Sequence, residues 1–349
     1  MIDPNMYYRR GLKIKALPNW KNAKIIYPSQ NFSLDWKVNQ IYPATKRLAK
    51  VRKFIMRFAA GINLIKGKIM SGKDEEFRDF VTSCFPNFSE CIILVGTPGP
   101  TQKLTIQLLD LNYSVIGYLK FSTKELGIKS IYQEYEVLKK LNGIDVPIPL
   151  KIEKLNGGIG MIITPVEGNR LEVNIRPSKE VVESTRLFVQ EQYFSIEEHP
   201  WIKNMQENMV NKIQPYLYLL SNRNWPISIQ HGDFVPWNII QRADKSCVPI
   251  DWEYGNVNSF PYLDLIYYII QVGALIKKWN QERVLQEVIK FFDDMKELAL
   301  TYSEVICLTY FTVVDCYEKS LLLGSGENDV LQVWRKELER TVKNRLEEL

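Results

Sequence analysis

Between Glu90 and Ile163 the apolar positions of this chain come in short runs with strand-like alternation, and from about residue 178 they shift to the three-and-four spacing of helices. ECIILVG, QKLTIQLLD and YSVIGYLKFS predict three strands of an antiparallel meander, broken by TPGPT and by a turn at Leu111-Asn112. Ser130 to Leu141 carries Ile131, Tyr135, Leu138 and Leu141 as a helical stripe, stopped by Asn142-Gly143. VPIPLKIEKLNGGIGMIITPVEGNRL then reads as two strands around a Gly-Gly turn, followed by a connector from Thr164 to Gly168. Helices are predicted over Ser178 to Phe194, Pro200 to Arg223, Leu263 to Lys278, Glu282 to Tyr302, Glu304 to Leu323 and Asp329 to Leu349, with GSGEN as a loop. Strands followed by helices imply an α+β chain of two lobes: a small antiparallel sheet and a mainly helical part.

The stretch before Glu90 has a different character. Residues 1 to 41 are rich in Tyr, Trp, Asn and Pro without sustained periodicity. Tyr42 to Met70 predicts a basic amphipathic helix, with Leu48, Val51, Ile55, Phe58 and Ile62 on one side and Lys46, Arg47, Lys50, Lys53 and Arg57 on the other. Lys73 to Cys84 predicts a short acidic helix. The division that follows is a basic N-terminal extension over 1–88, a sheet lobe over 89–168 and a helical lobe over 169–349.

Composition adjusts this picture in two places. Residues 1 to 70 hold 15 Lys or Arg against Asp3 and Asp35, so the net +5 of the 349-residue chain is an N-terminal property and the remainder is acidic. Segment 42–70 is thus a candidate for peripheral contact with an anionic membrane, against the simpler reading of a packed helix with a solvated charged face; no nucleic-acid-binding motif is present. The five cysteines, Cys84, Cys91, Cys247, Cys307 and Cys316, lack paired spacing and read as buried thiols. With no long uncharged apolar run and no cleavable leader pattern, a cytoplasmic protein is expected.

The candidate chemistry is concentrated in Ile229 to Leu265, IQHGDFVPWNIIQRADKSCVPIDWEYGNVNSFPYLDL. Ile239-Ile240 and Val248 to Ile250 flank a polar turn and predict a hairpin. Asn238 precedes its first strand and Asp251 follows its second, so the hairpin brings them together. An Asn oxygen and a carboxylate, with Asp233 nearby, form an all-oxygen donor set that suits Mg²⁺ bound together with substrate phosphates.

Asp233 and Asn238 in D-x-x-x-x-N, with Asp251 following, match the catalytic-loop pattern of kinases. HGDFVPWN, IDWEYG and Pro261 to Leu265 resemble the aminoglycoside phosphotransferase and choline kinase-like family, small-molecule kinases of the protein kinase-like fold. The resemblance covers about residues 90 to 320. It implies ATP-dependent transfer of a phosphoryl group to a hydroxyl of a small molecule: an amino sugar, a sugar, choline or an amino alcohol. On that resemblance Asp233 is the catalytic base, Asn238 and Asp251 hold Mg²⁺, and Lys120, paired with Glu134 rather than Glu136, holds the nucleotide's inner phosphates. The alternative for Lys120 is a strand-end ammonium reaching solvent. The turn at Gly96, Thr97 and Gly99 is in position to cover the phosphates, although GTPGP is not G-x-G-x-x-G and by itself is a hairpin turn. Ile163, Pro165, Val166 and Glu167 mark the connector against which the adenine is expected. His231 and Asp264 are expected to support the loop, Asp264 either as a helix cap or as a brace. For the acceptor the sequence offers Glu191, Glu197, Glu198 and Glu207 with Tyr193, Phe194 and Trp201, and Trp252, Glu253 and Tyr254. The competing function is a catalytically silent nucleotide-binding or interaction module that docks through its basic N-terminal segment.

Overall fold

The computed structural model describes residues 3–29 and 67–349. The chain divides into two compact units, residues 1–139 with 147–166, and residues 140–146 with 167–349.

Among the described residues the first unit is built on one antiparallel sheet of eight strands. Its strands are β1 (Lys13–Leu17), β2 (Ile25–Pro28), β3 (Lys68–Ile69), β4 (Glu90–Val95), β5 (Leu104–Leu109), β6 (Val115–Ser122), β7 (Pro149–Leu155) and β8 (Gly158–Ile163). Their order is β3-β1-β2-β4-β5-β6-β8-β7. The expected meander is therefore present as β4-β5-β6, in register from Cys91↔Leu108 to Thr105↔Lys120. The N-terminal segment departs from expectation. Instead of a separate extension over 1–88, its described part supplies three strands of the same sheet, because Ile25↔Leu94 and Ile26↔Ile93 pair β2 directly onto β4. The hydroxyl of Tyr8 fastens it further by donating to the carbonyls of Ile26 (2.9 Å) and Cys91 (3.2 Å). Helix α1 (Glu75–Thr82) buries Phe77, Phe80 and Val81 in this core, and Tyr7 meets Phe77 edge-on at 5.3 Å. Of the expected helix over 42–70, residues 42–66 lie outside the described residues, and Lys68–Ile69 form an edge strand.

Helix α2 (Glu125–Lys140) follows β6 and buries Gly127, Ser130, Ile131, Glu134, Val137 and Leu138, a stripe at three-and-four spacing that includes one carboxylate.

The second unit holds two three-stranded sheets and a helical core. β9 (Asn169–Arg170), α3 (Lys179–Arg186), β10 (Val189–Phe194), α4 (Pro200–Lys203), α5 (Glu207–Ile213) and β11 (Trp225–Gln230) come first. β12 (Ile239–Gln241), β13 (Cys247–Pro249), β14 (Asn256–Ser259), α6 (Leu263–Val272), α7 (Gln281–Asp294), α8 (Tyr302–Leu322) and α9 (Val330–Glu347) complete it. The sheets run β10-β11-β14 and β13-β12-β9. The helix expected over 178–194 ends at Arg186, and Val189–Phe194 is a strand: VQEQYF pairs with β11 through Val189↔Ser228 and Tyr193↔Pro226, a tertiary pairing that overrides local helical spacing. α6 is buried along its whole length and α8 from Glu304 to Tyr317, which makes them the centre of the core. Thr301 and Glu304 close the α8 N-terminus as a reciprocal capping box. All five cysteines are free thiols, four of them buried. Among the described residues no helix is long and apolar enough to cross a membrane.

Candidate active site

In the first unit, strand β6 carries Lys120 to a position only 5% exposed. Its Nζ donates to both carboxylate oxygens of the fully buried Glu134, each at 2.6 Å. A buried ammonium is costly without an anion, and the carboxylate on the inner stripe of α2 supplies one. The pairing is with Glu134, and the solvent-reaching alternative for Lys120 is excluded.

At the tip of the β4–β5 hairpin, the Gly96 N–H donates to the Lys103 carbonyl (2.9 Å). A Cβ at 96 would stand 2.5 Å from that oxygen, so hairpin closure alone accounts for this glycine. Thr97 and Gly99 are exposed at the tip. Ile163 ends β8, and the chain passes from one unit to the other at Val166 and Glu167, directly after Pro165.

In the second unit the 229–265 stretch folds as its spacing predicts. β12 and β13 pair through Ile239↔Pro249 and Ile240↔Val248, and the Ile250 N–H donates to the Asn238 carbonyl at 2.8 Å, which joins the two ends of the hairpin. Asn238 donates its amide Nδ2 to Asp233 twice, to Oδ2 (2.8 Å) and to the backbone carbonyl (3.1 Å). The amide nitrogen is thereby committed, and Oδ1 is left as the acceptor that a cation would use. Asp251 has φ +74°, in the left-handed region where a non-glycine residue is uncommon and asparagine or aspartate is best tolerated. One amide oxygen and one carboxylate, with substrate phosphates and water as the remaining donors, fit Mg²⁺. Among the described residues no group of three His, Cys, Asp or Glu forms a cage able to hold a metal by protein ligands alone.

The loop that presents Asp233 is held from three directions. The carboxylate of Asp264, in the first turn of α6, accepts the N–H groups of His231 (2.7 Å) and Gly232 (3.0 Å). It is a brace and not a cap, since no side chain caps α6. His231 bonds the Ile250 carbonyl through Nε2 (2.9 Å) and accepts the Asp233 N–H at Nδ1 (3.2 Å), which fixes a neutral tautomer with Nε2 as donor. Gly232 has φ +80°, and a Cβ there would lie 2.3 Å from the Tyr254 carbonyl. Only glycine fits between His231 and Asp233.

One partner of Asp233 was not visible in the sequence. Tyr267, one turn along α6, donates its hydroxyl to Oδ1 at 3.1 Å while Asn238 serves Oδ2. Burial first and the Asp251 charge second push the Asp233 carboxyl up to about 6, against the pull of Tyr267, Asn238 and Arg335. Burial also raises Asp264 to about 6, partly offset by the two N–H bonds it accepts. A carboxylate that titrates near neutrality and keeps both oxygens oriented is equipped to accept a proton.

The acid-and-aromatic residues suggested for the acceptor are dispersed. Glu191, Glu197, Glu198 and Glu207 are all exposed, and Glu198 pairs with Lys203. Glu191 and Tyr193 line a groove of about 720 Å³ with Arg186, Arg223, Trp225 and Asp264. Trp201 and Trp252 are core residues; Trp252 is fully buried between His231 and Phe188. His199, the second histidine, caps α4 by accepting the Trp201 N–H at 3.2 Å.

The chain is thus an α+β protein with a buried Lys–Glu pair in its sheet unit and an H-G-D-x-x-x-x-N loop joined to an Asp by a hairpin in its helical unit. No family model and no curated protein matches the sequence. Among solved structures it is similar to the putative fructosamine-3-kinase from Haemophilus somnus 129PT, at 11% identity over 78% of this chain and 97% of that one, TM-score 0.46. It is similar as well to the choline kinase LicA from Streptococcus pneumoniae, at 14% identity over 78% of this chain and 98% of that one, TM-score 0.38. The aminoglycoside phosphotransferase APH(3'')-Id from Streptomyces rimosus ATCC10970 matches 67% of this chain and 98% of its own at 14% identity, TM-score 0.37, and was also solved with ADP and streptomycin. Scores this low leave these as similarities, and the fold rests on the chain's own sheets and helices.

Proposed function

We propose that the chain is an ATP-dependent phosphotransferase acting on a hydroxyl of a small molecule. The observation that carries the reading is the Asp233 carboxylate, raised to about 6 and held by Asn238 at one oxygen and Tyr267 at the other, with Asp251 as its charged neighbour. The named activities of the similar structures support it as an analogy of fold.

In this reading Asp233 orients the acceptor hydroxyl and takes its proton as the acceptor oxygen bonds to the γ-phosphorus and the bond to the β–γ bridging oxygen breaks. Asn238 and Asp251 would hold Mg²⁺, which neutralises phosphate charge when bound. Lys120, held in place by Glu134, is the proposed partner of the inner phosphates, and the connector from Ile163 to Glu167 the proposed adenine contact. His231 and Asp264 keep the loop in place without touching substrate. The turn at Gly96, Thr97 and Gly99 has a complete structural explanation as a hairpin, and its proposed role is limited to covering the nucleotide.

The experiment is a melting titration of the full chain with ATP, with and without Mg²⁺. The expected result is stabilisation that requires Mg²⁺, retained in Asp233→Asn and lost in Asp251→Asn. Stabilisation that survives Asp251→Asn unchanged would remove the metal assignment.

A further inference from the structure

A groove of about 720 Å³ opens in the helical unit, walled by the edge strand β10, the start of β11 and the first turn of α6. None of Asp233, Asn238, Asp251 and Tyr267 lines it, but Asp264 does, and Asp264 accepts the N–H groups of His231 and Gly232. The groove is therefore separate from the proposed site of transfer and joined to the catalytic loop through one side chain. Its volume is that of a site for a small organic ligand.

Two arginines line it. Arg223 lies 4.2 Å over the buried Trp225 ring, and its Nη2 donates to Glu304 at 2.9 Å, so its position is fixed. Nε is enclosed and Nη2 is engaged, yet the side chain is 35% exposed, which leaves Nη1 as the open donor. Arg186 is 43% exposed and bonded to Glu183 at 2.9 Å, a solvated i,i+3 pair that contributes little and is readily exchanged for a ligand. Burial raises the Tyr262 phenol, and the first charges to oppose it are Arg223 and then Arg186, ahead of Glu304. Of the acids in the wall, Glu191 and Glu297 are exposed to solvent, and Asp264 is committed to its two N–H groups.

Aromatic faces complete the lining. Tyr193 on β10 is 61% exposed. Tyr262, the residue before α6, holds φ +69°, a left-handed conformation that is rare for a bulky side chain and clusters at ligand and switch sites. Guanidinium groups beside aromatic rings complement a planar ring that carries negative charge.

We infer that the groove binds a small aromatic anion, a planar ring bearing a carboxylate or a phosphate, and that its occupancy acts on the catalytic loop through Asp264. The occupant orders the turn at 262–265 and with it the carboxylate that holds the His231 and Gly232 N–H groups. Neither part rests on the phosphotransferase reading.

The test uses the full chain with Mg-ADP present, so that nucleotide positions are filled. Benzoate and phenyl phosphate are titrated by ligand-observed NMR against benzylamine, acetate and inorganic phosphate, with melting curves to verify that each variant folds. Saturable binding of at least one aromatic anion is expected, at least tenfold tighter than that of the amine or of the anions without a ring, and the preferred anion tells carboxylate from phosphate. Affinity should fall at least tenfold in Arg223→Gln and at least threefold in Arg186→Gln. Absence of binding to the wild type, equal binding of the controls, or unchanged affinity in the folded arginine variants overturns the inference. Should Arg223→Gln fail to fold, Arg186→Gln and Tyr193→Ser decide, and unchanged affinity in both overturns it. Hydrogen exchange then reads the link to the loop: the bound anion should slow exchange of the His231 and Gly232 amides at least threefold. Binding with unchanged exchange there overturns the link and leaves the groove as a ligand site.

Discussion

The Lys120–Glu134 pair in the sheet unit and the Asp233 loop in the helical unit solve the same problem, holding a charge in a partly or wholly buried place, by different means. Lys120 is compensated by the carboxylate of Glu134, 14 residues away, with both side chains almost fully enclosed. Among the described residues Asp233 forms no ion pair; two neutral donors orient it, a second carboxylate stands near it, and Asp264 and His231 hold its backbone from behind. The first arrangement joins two opposite charges to each other. The second leaves a carboxyl free to change protonation, which is what a proton acceptor requires.

The largest effect that separates the two falls on stability. Lys120→Met leaves Glu134 buried without its cation and should cost about 3–5 kcal/mol in denaturant unfolding, whereas Lys120→Met with Glu134→Leu should recover most of that loss. A single variant as stable as the wild type would mean that the pair is not enclosed as described. Next in size is the pH response of turnover. Asp233 must be deprotonated to accept a proton, so kcat/KM should be lost as pH falls through about 6. Asp251→Asn removes the neighbouring charge that raises this value, so the nucleotide-binding step aside, the residual limb should move to lower pH; a limb that stays in place would break the link between the two carboxylates. The smallest effect is expected for Tyr267→Phe. Losing a donor that favours the charged carboxylate should move the limb upward and reduce kcat by about tenfold, roughly 1.4 kcal/mol, with little change in KM for ATP. An unchanged profile would make Tyr267 a packing residue only.

The same contrast decides what could be read from the sequence. Lys120 and Glu134 lie on neighbouring elements whose periodicity identifies their inward faces, and the 239–249 hairpin is a local pairing that brings Asn238 to Asp251. Alternation and spacing are sufficient for both. Tyr267 reaches the loop from a helix 34 residues downstream of Asp233, a separation that no hairpin or neighbouring-element pattern spans. The i+3 offset of Tyr267 from Asp264 on α6 was the one signal available, since it places both on the side of the helix that faces the loop. β1 and β2 were illegible for a related reason: KIKAL and IIYP are too short to show a period and become strands only by pairing with each other and with β4. β10 was misread because its six residues continue the apolar spacing of α3, while the edge of β11 holds them extended.

The central claim is that Asp233 serves as the proton acceptor in phosphoryl transfer. It is tested most directly by following ADP formation by the full chain with Mg-ATP and a panel of hydroxylated acceptors, wild type against Asp233→Asn. The account predicts acceptor-dependent ADP release that falls by about 10²–10⁴-fold in the variant while ATP binding is kept. Equal ADP release by the two proteins would contradict it.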